Sequence, residues 1–199
     1  NGLRWGLDNW VYCAAGGHHG NHGVGTRLKS RRAGLEVLVG SRDFRFRPDT
    51  GELEPESGPS QFGRNPDDFG RWFGVHNAFP LFHYALEERW LARNTHVAYP
   101  DVKHQLLGQQ PAVYPRSILQ KRYIGLDHHG HYTSACSAMV FRDRWEDGDE
   151  AQGAEALHAF ICEPVHNLVQ HQLLDERGAS FRAARAPDEA GRDFLASND

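Results

Sequence analysis

The chain has 199 residues, with 22 Lys and Arg against 26 Asp and Glu and a formal net charge of −4 at pH 7. That length bounds one domain or most of one, and the charges are interspersed rather than gathered into the basic stripe of a nucleic-acid footprint, so no nucleic-acid partner is expected. Hydrophobic residues make up 39%, enough for a core, but no apolar run approaches the roughly 18 residues of a membrane span, and no membrane-spanning segment is expected.

The chain begins at Asn1 rather than Met, and Phe194-Leu-Ala-Ser-Asn-Asp199 reads as the approach to another element. Both ends are expected to be cuts, which makes the chain an internal piece of a larger domain and leaves export open. Five Trp, eleven Phe and six Tyr, with 21 Gly and 10 Pro, point to short strands and many turns. Cys13, Cys136 and Cys162 fit no metal or haem spacing. Cys136 and Cys162 could pair if their strands are neighbours, which would imply an oxidising compartment; two buried free thiols are the other reading.

In chain order, Asn9-Trp-Val-Tyr-Cys13 is a short aromatic-apolar strand, and Gly34–Val39 is a second, rich in Leu and Val. Asp43-Phe-Arg-Phe-Arg47 alternates with period two, placing Phe44 and Phe46 on one face and Arg45 and Arg47 on the other, read as solvated. Pro48-Asp-Thr-Gly51 is a type I turn, and Leu53–Ser57 returns to complete a hairpin over Asp43–Ser57. Arg71–Val75 and Phe82–Leu86 form a further strand pair. Glu87–Arg93 allows about two helical turns, and Asn94 can end them. A second short helix is conceivable around Asp147–Ala156, although Gly148 and Gly153 favour a loop. Residues 95–131, punctuated by Pro100, Gly108, Pro111 and Pro115, read as one long insertion. Ala138–Arg142, His158–Cys162 and Asn167–Leu174 are the last strands.

A weak internal repeat decides the fold. Asp8-Asn-Trp-Val-Tyr-Cys-Ala14, Gly70-Arg-Trp-Phe-Gly-Val-His76 and Leu157-His-Ala-Phe-Ile-Cys-Glu163 share one layout. In each, a turn leads into an aromatic-apolar strand, which leaves through a small or polar residue. A four-stranded propeller blade takes roughly 40–50 residues, and loop insertions cover the excess spacing. The expected fold is therefore all-β, a partial β-propeller of about three blades out of six. The blades fall at residues 1–60, at 61–130 with the insertion at 95–131, and at 132–199, the last incomplete.

Several segments carry a family resemblance in order along the chain. They are Asn1–Tyr12, Asp43–Gly51, Ser60-Gln-Phe-Gly63, Asp68–Phe73, Pro80-Leu-Phe-His-Tyr84, Tyr114-Pro-Arg-Ser117, Thr133-Ser-Ala-Cys136 and Phe160–Val169. Together they resemble the large planctomycete-type proteins grouped as membrane-bound dehydrogenases, whose propeller domain is similar to glucose/sorbosone quinoprotein dehydrogenases. In many members helical repeats and a c-type haem domain follow. Two places depart from the pattern: the loop Gly16–Gly23, rich in His, and Val169-Gln-His171 at the end of the last motif. The haem-binding C-x-x-C-H is not in this sequence.

The resemblance implies an exported, periplasmic or membrane-associated dehydrogenase. It would oxidise a sugar or related alcohol with pyrroloquinoline quinone and Ca2+, and pass electrons to a haem c domain of the same protein. Such chemistry needs a general base, cations for the quinone carboxylates and often a divalent cation. Glu163-Pro-Val-His166-Asn167 follows a repeat strand where a blade would meet the channel, so His166 is a candidate base and Glu163 its orienter. His76 stands at the analogous place in the second repeat. Asn77, Asn167 and His83 are candidate cofactor contacts, and Arg116, beside Ser117, is a candidate anchor for an anionic cofactor group.

The clusters His18, His19, His22 and His128, His129, His131 suggest imidazole ligands, but no carboxylate or Cys set completes them, and no metal site is assigned. Thr133–Cys136 lacks a nucleophile elbow, and no nucleotide-binding glycine motif opens a helix, which disfavours hydrolase and nicotinamide chemistry. The rival class is a non-catalytic propeller that binds carbohydrate or a protein through Trp72, Phe79, Phe82 and Trp90.

Overall fold

The computed structural model describes residues 2–16, 23–96, 98, 101–109, 111–118, 130–142 and 156–198. Their elements are strands β1 (Arg4–Trp5), β2 (Val11–Cys13), β3 (Arg27–Ser30), β4 (Leu35–Leu38), β5 (Asp43–Phe46), β6 (Leu53–Glu56), β7 (Arg64–Pro66), β8 (Trp72–Gly74) and β9 (Phe82–Tyr84), then helix α1 (Glu88–Leu91). Strands β10 (Lys103–Gln105), β11 (Cys136–Arg142), β12 (Leu157–Glu163), β13 (Leu168–Arg177), β14 (Ser180–Ala184) and β15 (Leu195–Ala196) follow.

They build three larger antiparallel sheets, with strand orders β1-β2-β5-β6, β10-β9-β8-β7 and β11-β12-β13-β14, and a separate two-stranded one, β3-β4. Each of the three larger sheets is a four-stranded meander followed in chain order, the construction of a propeller blade. The fold is all-β and propeller-like. The β3–β4 hairpin is an excursion between the second and third strands of the first sheet, and β15 adds to β13 beyond the reach of β14. The three repeat segments of the sequence supply β2, β8 and β12, the second strand of each larger sheet.

Successive sheets pack face to face. Between the second and third, Phe73, Val75 and Leu81 meet Ala159, Ile161, Leu174 and Phe181 in an apolar seam. Its inner edge is closed by Asn65, whose side-chain amide donates to the Ala138 carbonyl at 2.7 Å. At its outer edge the Phe181 ring lies 5.3 Å from Phe73 and 5.0 Å from His83. Between the first and second sheets the seam is different in kind. Trp10, Tyr12, Trp72, Phe82 and Tyr84 surround buried charges.

Four local expectations change. The alternation of Asp43–Arg47 holds, but its charged face is not solvated, since Arg45 is buried against Asp8, Glu54 and Glu56. Phe44 and Phe46 lie instead on the half-buried face, beside Leu28 and Leu53. The first strand starts at Val11 because Asn9 adopts a left-handed backbone at φ 63. Helix α1 is a single turn with no side-chain cap and no buried residue, so nothing extends it. Residues 95–131 are not one irregular insertion, because β10 completes the second sheet by pairing with β9, and Ala112 bridges to His131. The conceivable helix at Asp147–Ala156 lies outside the described residues, apart from Ala156. Among the described residues no helix is long and apolar enough to cross a membrane.

Candidate functional site

The second strands leave their sheets at one end, and there a hydrogen-bonded belt links all three. Its first station is Asp43, fully buried on β5. One of its oxygens accepts the backbone N–H groups of Ala15 at 2.9 Å and Ser60 at 3.0 Å. The second station is Gln61, whose N–H donates to the Val75 carbonyl and whose side-chain oxygen accepts the Asn77 N–H at 3.0 Å. The Asn77 carbonyl then accepts the Ala135 N–H at 3.0 Å, and so crosses from the second sheet to the loop before β11. The last station is Glu163, at the exit of β12. Its Oε2 accepts the Thr133 and Ser134 N–H groups at 3.0 and 2.8 Å.

Glu163 is fully buried, which pushes its carboxyl up; the amides of Ser134, Thr133 and Val165 pull it back down. Pro164–His166 then forms one 3-10 turn, and Asn167 ends it in a left-handed conformation at φ 51. His166 is also buried, and its Nε2–H donates to the His131 carbonyl at 3.1 Å. The Ser117 hydroxyl donates to the His166 carbonyl at 3.3 Å, which brings the exposed Arg116 to this corner. The Asn167 carbonyl accepts the Ser197 N–H. His76 is half-buried beside Phe79, its Nδ1 accepting the Ala78 N–H at 3.3 Å.

The structure thus gathers His76, Asn77, Glu163, His166, Asn167 and Arg116 at the belt end of the sheets. His83 is elsewhere, on β9 in the seam with the third sheet, held between Phe73 and Phe181 with Nδ1 3.1 Å from the Ser180 hydroxyl. Burial, reinforced by Arg71, pushes its pKa down to about 4. His18, His19, His22, His128 and His129 lie outside the described residues.

Two polar constellations had no signature in the sequence. Beneath the belt, Arg64 is buried with its guanidinium 4.5 Å from the Tyr84 ring centre and 4.8 Å from that of Trp72. It donates to Asp43 at 3.2 Å and to the Ser57 carbonyl at 2.9 Å. Tyr84 donates to the same carboxylate at 3.3 Å. On the third sheet, His158 Nδ1 lies 2.8 Å from His171 Nε2, and His171 Nδ1 lies 3.2 Å from Glu189. Only His171, at the departure from the family pattern, was singled out by the sequence.

The described residues do not fit a quinone with its Ca2+. Both Glu163 oxygens face the Thr133–Ser134 segment, His166 holds a backbone carbonyl, and His83 is sealed in a seam. Among the described residues no group of three or more His, Cys, Asp or Glu could hold a metal ion.

Over residues 1–199 the chain matches the family described as Domain of unknown function (DUF7133), and it belongs to that family. No curated protein and no solved structure matches it.

Proposed function

We propose that this chain is part of the propeller of an exported dehydrogenase resembling the glucose/sorbosone quinoproteins. That enzyme oxidises a sugar or related alcohol and passes the electrons to a haem domain of the same protein. The observation that supports this reading is the belt, which collects the polar exits of three equivalent strands on one end of the sheets, where propellers hold their ligands. In this reading the chain forms the substrate side of the site, and the redox group is held by elements other than the described residues. His76, half-buried at the same end, is the candidate base, whereas Glu163 and His166 are positioning residues that fix the belt. Arg116, exposed at the same corner, meets anionic groups. Periplasmic or membrane-associated work follows from the same proposal.

The alternative is a propeller that binds carbohydrate or a protein without catalysis. It draws on the way Glu163 and His166 already serve backbone groups. Dye reduction by the full-length protein, with pyrroloquinoline quinone and Ca2+ over a panel of sugars, separates the two. Turnover that falls roughly 100-fold or more in a folded His76→Ala variant supports the enzyme. Folded protein with no turnover on any sugar overturns it in favour of the binder.

A further inference from the structure

Two of the three cysteines, both free thiols in this structure, are register partners across the third sheet. Cys136 opens β11 and Cys162 lies on β12, and the two are direct partners in the antiparallel register. Directly opposed residues of such a pair carry their Cβ atoms on one face, ~4.5–5.5 Å apart, so a bridge needs a small closure toward its ~3.5–4.5 Å. Disulfides join Cα atoms ~4.4–6.8 Å apart, a range that covers both kinds of opposed pair. On β12 the alternate residues Ala159 and Ile161 face the apolar seam, so Cys162 and its partner lie on the opposite face of the sheet. A bulge follows at once between Cys136 and Met139, with Ser137 at φ 52, so the ladder is not rigid around Cys136. Cys13 lies on β2 of the first sheet, with neither of the other two cysteines among its register partners.

We propose that Cys136 and Cys162 form a cross-strand disulfide that pins the first strand of the third sheet to the second. Two S–H bonds break and one S–S bond forms. Two protons leave to solvent, and two electrons pass to the disulfide of a thiol–disulfide oxidoreductase or to a small disulfide such as oxidised glutathione, which departs as thiols. The bridge sits one residue from Glu163 and two residues from Ser134, and so locks together the two ends of the last belt station. Burial pushes both thiols up, and at Cys136 the neighbouring Cys162 and Glu163 add to it. The inference rests on strand register and stands whether or not the protein is a dehydrogenase.

The test uses full-length protein exported into an oxidising compartment, denatured without reductant, alkylated, digested and mapped by mass. The expected result is one linked peptide pair carrying Cys136 and Cys162, with Cys13 alkylated. Reductant should release the pair and lower the melting temperature of wild type but not of Cys136→Ser or Cys162→Ser. Three alkylated cysteines, or a linkage that includes Cys13, overturns the proposal. If neither variant folds, wild type equilibrated with glutathione decides. The pair should stay oxidised in an equal mixture of reduced and oxidised glutathione, and a pair still reduced in excess oxidised glutathione refutes the bridge.

Discussion

Replacing Arg64 with Met tests what joins the first sheet to the second. Met keeps most of the buried volume but removes the cation, so the packing loss is small and the electrostatic loss is isolated. Arg64 and Asp43 have side chains 2% and 0% exposed, and Arg64 lies 3.2 Å from the carboxylate. Removing one partner of such a pair leaves an uncompensated buried charge and costs about 3–5 kcal/mol. Loss of the bond to the Ser57 carbonyl and of the contacts with Trp72 and Tyr84 pushes Arg64→Met toward the upper end. Asp43→Asn in the same background should recover part of the loss, because an amide needs no counter-charge. A double-mutant cycle by urea unfolding should give a coupling of about 2 kcal/mol or more. The pH dependence adds a second check. Burial already pushes the Asp43 carboxyl up against the pull of Arg64, and losing Arg64 pushes it further. A carboxyl raised in the fold stabilises at low pH, and that stability is lost as pH rises through the folded value. The Arg64→Met deficit should therefore shrink on acidification. A loss below about 1 kcal/mol, additivity in the cycle, or a deficit indifferent to pH would each refute the account.

Three further outcomes are expected. Glu163→Ala, which orphans the Thr133 and Ser134 amides, should cost about 3 kcal/mol in chemical unfolding, and Glu163→Gln, which keeps an acceptor, about 1 kcal/mol. Burial outweighs Arg64 and Arg45 at Glu56 and raises its pKa from 4.5 to about 6. Its stabilising contribution is therefore present below about 4.5 and lost through about 6; Glu56→Gln should flatten that part of the stability–pH curve and gain up to about 2 kcal/mol at pH 7. His83, lowered from 6.5 to about 4, is neutral in the fold, so its contribution is present above pH 6.5 and disappears as pH falls toward 4; in His83→Phe that acid limb should vanish from melting curves.

Much of the architecture could be read from residue order. The aromatic segments around Trp10, Trp72 and Phe160 supply equivalent strands, the second of each four-stranded meander, whose place inside the ladder buries most of their residues. The Asp43–Arg47 alternation located a strand but not its buried side, since the rings of Trp10 and Tyr12 at the neighbouring strand, with the carboxylates of Asp8, Glu54 and Glu56, make a buried Arg45 acceptable. Lys103-His-Gln105 carries no apolar signal and becomes β10 only by completing the backbone bonds of β9. At the site, Glu163–Asn167 stood out as a polar corner after an apolar strand. Asp43, Gln61 and Arg64 did not, because single polar residues that clamp distant backbone have no period and no motif.

The two seams should respond oppositely to temperature. Hydrophobic attraction weakens on cooling, and the joint between the second and third sheets depends on it. The desolvation cost of ions falls on heating, so the joint built on Arg64 and Asp43 holds its strength where the other plateaus. A molecule with both kinds of joint loosens along the apolar hinge line in the cold, while the charged one persists on heating.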